Sequence, residues 1–136
     1  MVKKWYFAAQ FSRLVEIASY ATRARIANLE VTSRWLEQDP ASGYAGGSDA
    51  AGHVFAERDL KDIAAADGFL FFAEDPAVGV LRGGRHVEFG VALATGKTVE
   101  VIAPCGRENV FHLLVSDSAI YSTFETWLEI KKGEVA

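Results

Sequence analysis

The sequence predicts a three-layer α/β fold, in which a mostly parallel five-stranded sheet lies between two layers of helices. Short, continuously apolar runs at residues 5–9 and 69–73 are typical of strands that are covered on both faces. Segments with helical periodicity alternate with such runs, which favours parallel pairing through right-handed crossovers. The chain has 136 residues, half of them apolar, and is expected to form one domain over residues 1–136.

The first half of the chain predicts two strands, a helix and a loop. The strand at residues 5–9 is followed by a helix over 13–27, where apolar residues recur at helical spacing. Residues 29–36 alternate between apolar and polar types and predict the second strand. Residues 37–52 are rich in glycine and proline signals and predict a loop close to a functional site.

The second half continues the alternation of helix and strand. A helix is predicted over residues 50–66, followed by the third strand at 69–73. A second such pair follows, with a helix over 84–94 and a strand at 98–103. The chain then predicts a short helix over 108–114, a brief edge strand at 119–121, and a last helix that starts at a capping box of Ser122 and Glu125.

This element order predicts where a ligand would bind. Five strands with helices on both faces indicate a flavodoxin-like sandwich with strand order 2-1-3-4-5. Ligands of such sheets bind beyond the carboxyl ends of the strands, at the switch between the first and third strands. Residues 8–13 and 74–88 follow those two strand ends, so they are expected to line the site.

Composition narrows the possible partners. The net charge is −4 and lysines and arginines do not cluster, which argues against a nucleic acid polymer but leaves single nucleotides open. Cys105 is the only cysteine, so no intrachain disulfide is possible and a reducing compartment fits. His53, His86 and His112 lack the spacing of a metal site, and no apolar run approaches membrane-spanning length. The sequence therefore predicts a cytoplasmic, soluble protein with no metal or cofactor and no membrane partner, for which a small molecule such as a single nucleotide remains a possible ligand.

One carboxylate stands out near the predicted ligand site. Gly83 and Gly84 open the helix that carries Glu88, and glycines let a substrate approach the backbone closely. The free N–H groups and the dipole at a helix start favour a negative charge, so Glu88 is expected in the first turn and ionised. An ionised carboxylate there could act as a nucleophile. The alternative is that Glu88 only caps its helix.

Other catalytic and phosphate-binding patterns do not fit. Residues 79–84 do not read G-x-G-x-x-G, and no G-x-x-x-x-G-K-[ST] run occurs. No serine elbow is present, which argues against hydrolysis through a serine nucleophile. What remains is a set of carboxylates near strand ends: Glu88, Asp59, Asp62, Asp67, Glu74 and Asp75.

The chain resembles the nucleoside 2-deoxyribosyltransferase family and the related nucleotide N-glycoside hydrolases. The resemblance lies in Tyr6-Phe7-Ala8-Ala9, in Asp59-Leu60 followed by Ala66-Asp67, and in Val87-Glu88-Phe89-Gly90-Val91-Ala92-Leu93-Ala94-Thr95-Gly96-Lys97. The resemblance implies that Glu88 attacks the anomeric carbon, that Asp59 handles the proton of the base, and that Tyr6 orients Glu88. Retaining glycosidases also use one carboxylate as nucleophile and a second group to handle the proton of the leaving group. From the residues alone, a solvated Asp59 and a Tyr6 that only packs in the core remain open.

The resemblance also implies a substrate-binding set. Members that prefer nucleotides surround the 5′-phosphate with small hydroxyl and arginine residues, and members are oligomers in which a neighbour completes the pocket. The residues expected to bind substrate are Gln10, Phe11, Ser12, Arg13, Arg82, Gly83, Gly84, Arg85 and His112, the last one as the contact from a neighbour. Solvated arginines and a surface histidine are the alternatives. A homodimer or higher homo-oligomer is expected.

The expected function is therefore cleavage of the N-glycosidic bond of a (deoxy)nucleoside or its 5′-monophosphate, by hydrolysis or base exchange. Residues 132–136 do not match the C-terminal segment of the transferases, which favours hydrolysis. Phosphoribohydrolases with Pro-Gly-Gly-x-Gly-Thr-x-x-Glu are a rival, but only Gly83-Gly84 and a glutamate match that pattern. A non-catalytic nucleotide-binding or sensing module on the same fold is the alternative from another class.

Overall fold

The computed structural model describes residues 2–42, 49–77 and 83–135, and these residues form a parallel sheet with helices on both faces. The sheet order is β2-β1-β3-β4-β5, and every neighbouring pair is parallel. The predicted flavodoxin-like α/β fold is thus confirmed. The strands are β1 (Lys4–Ala8), β2 (Glu30–Val31), β3 (Gly68–Phe72), β4 (Thr98–Ile102) and β5 (Ile120–Tyr121).

The helices are α1 (Leu14–Ile26), α2 (Asp49–Ala65), α3 (Gly84–Ala94) and α4 (Phe124–Val135). Helices α1 and α4 lie on the same face, where Tyr20 stacks on Phe124 with ring centroids 4.4 Å apart. Side chains of β1 alternate between the two faces, as the pleat of a strand requires. Phe7 packs against α4, whereas its neighbour Tyr6 bonds to Glu88 on α3. Residues on the α3 side of β1 can therefore reach α3 directly.

The two central strands form the core of the sheet, as their apolar sequences predict. Every residue of β3 is buried, and so are all residues of β1 except Lys4. One charged side chain of β4, Glu100, is buried. It accepts from Lys131 Nζ at 2.9 Å and from Trp127 Nε1 at 2.8 Å. A buried carboxylate is stable only when it is paired in this way.

The second strand is much shorter than the predicted range 29–36. It ends at Val31, and residues Arg34–Glu37 form a 3₁₀ helix. The backbone of Phe7 explains the difference, because side chains occupy both of its hydrogen-bonding groups. Its N–H donates to Ser33 Oγ at 2.6 Å and its carbonyl accepts from Trp35 Nε1 at 2.8 Å. No ladder position is then left there for a longer β2.

Two local predictions near the C-terminus have different outcomes. The short helix predicted over residues 108–114 is present as a 3₁₀ helix at Val110–Leu114, started by Asn109 Oδ1, which accepts from Phe111 N. The cap of α4 is Thr123, whose Oγ1 accepts from Thr126 N at 3.1 Å, rather than the predicted pair of Ser122 and Glu125. Within the described residues, none of the helices is both long and apolar enough to cross a membrane.

Replacing Gly68 with alanine should destabilise the protein, because no space exists for a methyl group there. An added Cβ would lie 2.6–2.8 Å from three carbons of the Trp5 indole, which is itself fixed against Trp127. We expect a loss of about 2 kcal/mol in the free energy of unfolding, as for other overpacked cores, measured by urea denaturation. The matched control is Gly90→Ala on α3, where a Cβ meets nothing within 4 Å. That control should stabilise the helix slightly; equal effects of the two changes would contradict the packing argument.

Candidate functional site

The candidate site lies where α3 faces the carboxyl half of β1. Tyr6 is fully buried, and its hydroxyl donates to Glu88 Oε2 at 2.6 Å. The predicted contact between these two side chains is confirmed. Tyr6 also stacks on Phe69 of the neighbouring strand, with ring centroids 5.6 Å apart. Tyr6 thus both packs in the core and contacts Glu88, and the packing fixes the position of its hydroxyl.

Glu88 differs from the prediction in position and in charge. The first turn of α3 contains no acidic residue, since the helix starts at Gly84 and Glu88 lies in its second turn. The stabilisation of negative charge by a helix N-terminus fades beyond the first turn. Burial raises the pKa of Glu88 to about 8, against the hydrogen bond from Tyr6, which lowers it. A pKa of about 8 contradicts the expectation of an ionised Glu88 at neutral pH.

Asp59 reaches the same site from α2. Its charge is among the causes that raise the pKa of Glu88 and of Tyr6, which places the carboxylate within electrostatic range of both groups. Burial also raises the pKa of Asp59 itself, against the opposing charge of Arg58. With 24% of its side chain exposed, Asp59 is not the solvated surface residue of the alternative interpretation. The structure thus brings together all three predicted catalytic residues.

Two further polar residues at the site were missed by the sequence analysis. Arg58 Nη2 donates to Gln38 Oε1 at 2.7 Å and to Asp59 Oδ1 at 3.2 Å. The guanidinium lies over the ring of Phe55, 4.8 Å from its centroid. No sequence signal marks these residues, because an arginine on a polar helix and a glutamine after a 3₁₀ turn are common on any surface.

Asp62, one turn after Asp59, has a structural role. It is 5% exposed, and its two carboxylate oxygens accept from Arg34 N at 2.9 Å and from Arg34 Nε at 2.8 Å. Asp62 therefore holds the 3₁₀ helix that replaces the end of the predicted second strand. Its charge also contributes to the raised pKa values of Tyr6, Glu88 and Asp59.

The residues after β1 that were expected to bind phosphate are engaged with each other and with acids. Arg13 Nη1 donates to Glu74 Oε2 at 2.6 Å, and its Nε and Nη2 donate to Glu16. Ser12 is exposed and its hydroxyl donates to Gln10 Oε1 at 3.3 Å. An anion at this position would compete with two carboxylates for Arg13.

The remaining predicted binding residues lie in different surroundings. Phe11 is half-buried beside Trp35, with ring centroids 6.3 Å apart. Gly83 precedes α3 with φ +78°, a left-handed conformation that glycine adopts without strain, and Gly84 is the first helical residue. Arg82 falls outside the described residues.

Arg85 and His112 are interior residues, contrary to the predicted roles. Arg85 is 4% exposed and forms an ion pair with Glu108. His112 is fully buried between Phe71 and Phe89, and its Nδ1 accepts from the Glu108 backbone N–H at 3.2 Å. Burial lowers the pKa of His112 to about 4, so it is neutral at physiological pH. Its side chain has no exposed surface to offer a neighbouring subunit, because it packs against Phe71 and Phe89 in the interior.

Among the described residues, no three His, Cys, Asp or Glu side chains are grouped so that they could hold a metal ion. Comparison of the chain with protein-family models gives no match. Comparison with curated proteins gives no match either. The arrangement of Tyr6, Glu88 and Asp59 is the feature of the described residues that bears most directly on function.

Proposed function

We propose that the protein cleaves the N-glycosidic bond of a (deoxy)nucleoside or a nucleoside 5′-monophosphate, with Glu88 as the nucleophile. The observation that carries the proposal is the 2.6 Å hydrogen bond from Tyr6 to Glu88, with Asp59 in electrostatic range. A retaining glycoside-cleaving site uses one carboxyl group as nucleophile and a second as acid and base, and Glu88 and Asp59 are candidates for these roles next to the switch between β1 and β3. The resemblance in residues 6–9 and 87–97 supports the same chemistry.

The proposed reaction proceeds in two steps. An ionised oxygen of Glu88 bonds to the anomeric carbon while the bond from that carbon to the base nitrogen breaks. The electron pair of the broken bond stays on the base, which takes a proton from Asp59. The Asp59 carboxylate then takes a proton from water as the water oxygen attacks the anomeric carbon and releases Glu88. A second base that attacks in place of water gives base exchange.

The mechanism requires that Glu88 is ionised while Asp59 carries a proton. Burial favours a proton on Glu88 at neutral pH, whereas the reaction needs that proton on Asp59. Two interacting carboxyls share their protons as a pair, so the active form is one arrangement of the singly protonated pair. Tyr6 favours this arrangement, because its hydrogen bond stabilises the charged form of Glu88.

The test is a panel of nucleosides and nucleoside monophosphates, each incubated with the protein and analysed by chromatography for free base. The proposal expects free base from at least one member, and a second free base added to that reaction separates exchange from hydrolysis. Release from monophosphates but not from nucleosides would identify the phosphate as part of the substrate. No release from any member would overturn the proposal.

A nucleotide-binding module is the second candidate, and one observation favours it. At neutral pH a carboxyl with a pKa of about 8 is mostly uncharged, which suits a hydrogen-bonding contact better than a nucleophile. Isothermal titration calorimetry with the same panel distinguishes the two functions. Heat of binding without any free base supports the module, and free base supports the enzyme.

Self-association is also part of the proposal, with the 3₁₀ helix Val110–Leu114 as its contact. Four of its side chains are large, apolar and 63–70% exposed: Val110, Phe111, Leu113 and Leu114. Exposed apolar clusters of this kind mark protein contacts. We expect the wild type to sediment as a dimer or larger, and Phe111→Lys to sediment as a folded monomer in analytical ultracentrifugation. The control is Ile26→Lys, at an exposed apolar residue on α1; a monomeric wild type would contradict the proposed contact.

A further inference from the structure

Arg58 is the cation in direct contact with the proposed acid–base residue. Its Nε and Nη2 both point to Asp59 Oδ1, at 3.4 Å and 3.2 Å. The same Nη2 donates to Gln38 Oε1 at 2.7 Å, and Gln38 lies just after the 3₁₀ helix Arg34–Glu37. The guanidinium therefore links α2 to the segment that follows β2.

The geometry of this arginine differs from that of a solvated surface residue. Only 17% of its side chain is exposed, and one face of the guanidinium covers the Phe55 ring at 4.8 Å. A planar guanidinium held by a ring and two oxygen acceptors has little freedom left. Asp59 is then fixed along with it, since its contacting oxygen is the one that Arg58 holds.

The other charges around the site explain why this contact matters. Tyr6 on β1, Glu88 on α3 and Asp62 on the same helix α2 lie within electrostatic range of Asp59, and none of them supplies a positive charge. Arg34 lies nearby but is 52% exposed and is committed to Asp62 at 2.8 Å. Arg58 is the nearer cation, and its charge acts on both Asp59 and Glu88.

We propose that Arg58 is a positioning residue of the site, which holds the Asp59 carboxylate in one orientation and supplies a positive charge that acts on both Asp59 and Glu88. The consequence for catalysis rests on the proposed function, whereas the consequence for the two carboxyl groups does not. Because Arg58 favours the charged form of each acid, its loss should make both acids harder to ionise.

The experiment is a titration of the Asp59 and Glu88 side-chain carboxyls by ¹³C NMR in the wild type and in Arg58→Met. The signals are assigned with Asp59→Asn and Glu88→Gln. We expect both midpoints to rise in Arg58→Met by about one unit, a tenfold change in the ionisation constant. Arg58→Lys should restore the Glu88 midpoint more than the Asp59 midpoint. The lysine ammonium keeps the positive charge but lacks the planar set of N–H donors that holds the Asp59 carboxylate.

The matched control is Arg23→Met, which removes the same charge from α1 on the opposite face, where Arg23 pairs with Glu125 at 2.9 Å. It should leave both midpoints unchanged. If Arg58→Met does not fold, as judged by circular dichroism, Arg58→Gln replaces it, since glutamine keeps a donor without the charge. Unchanged midpoints in a folded Arg58 variant would overturn the proposal.

Kinetics then separates this proposal from the proposed function. Where the wild type releases base, the alkaline limb of kcat/KM should move upward in Arg58→Met by the same amount as the Glu88 midpoint. Raised midpoints in a protein that releases no base would support the role of Arg58 and contradict the enzyme. Base release by a protein whose midpoints do not move in Arg58→Met would support the enzyme and contradict the role of Arg58.

Discussion

Replacing Glu88 with glutamine should reduce base release by a factor on the order of 10³ or more. An amide has nearly the same shape but cannot carry the charge or form the glycosyl ester that the mechanism requires. The amide oxygen still accepts from Tyr6, so the fold should persist. Free base is measured by chromatography with one substrate in each reaction, and circular dichroism checks the folding. The control is Glu129→Gln, an exposed glutamate on α4 that pairs only with Lys132 among the described contacts.

The same substitution should stabilise the protein in alkaline solution. The pKa of Glu88 is about 8 in the folded protein, against 4.5 as the ordinary value. The folded state therefore holds a proton between these pH values that the unfolded state has lost, and the free energy of unfolding falls as the pH rises through that window. Glutamine removes this loss, so Glu88→Gln should be more stable than wild type at pH 9, by on the order of 3 kcal/mol in urea denaturation. Equal stability of the two proteins at pH 9 would show that the fold does not raise the pKa of Glu88.

The pH dependence of base release should have its alkaline limb near the pKa of Glu88, which is about 8. Above that pH the carboxyl pair loses its last proton, Asp59 has none to give, and kcat/KM should fall by about tenfold per pH unit. Between the pKa values of Asp59 and Glu88 the pair keeps one proton and the rate should be nearly constant. The profile is measured from pH 5.5 to 9.5 with buffers of constant ionic strength.

Tyr6→Phe provides the internal check on this profile. It removes the hydrogen bond that lowers the pKa of Glu88, so the alkaline limb should move to higher pH. A limb that stays in place in Tyr6→Phe, or a rate that keeps rising through pH 9.5, would mean that the limb does not report the Glu88 proton.

Much of the fold could be predicted from the sequence because the central elements carry strong local signals. Strands β1 and β3 are continuous apolar runs, and α3 has the bounds 84–94 that its periodicity predicts. The length of β2 had no such signal, because it depends on Ser33 and Trp35 bonding to the Phe7 backbone. Hydrogen bonds between distant side chains and backbone leave no periodic pattern.

The candidate site, like the fold, has some features that the sequence predicts and others that it does not. The contact between Tyr6 and Glu88 is what the resemblance implies, and the structure has it. The charge of Glu88 could not be predicted, because desolvation depends on how much of the side chain the fold covers. The sequence predicts Arg85 as a phosphate ligand because a guanidinium matches phosphate oxygens, and its ion pair with Glu108, 23 positions away in the chain, leaves no local signal against that role. Arg58 had no sequence signal for the same reason, since Gln38 is 20 positions away.

The most direct measurement is to trap the bond between Glu88 and the sugar. A nucleoside with fluorine at the 2′ carbon disfavours positive charge at the anomeric carbon and slows both steps, so that the glycosyl ester can accumulate. Intact-mass spectrometry followed by peptide mapping should then find the fluorinated sugar on the peptide that contains Glu88, and find no adduct in Glu88→Gln. A sugar attached to a different residue, or base release by Glu88→Gln at the wild-type rate, would contradict the account.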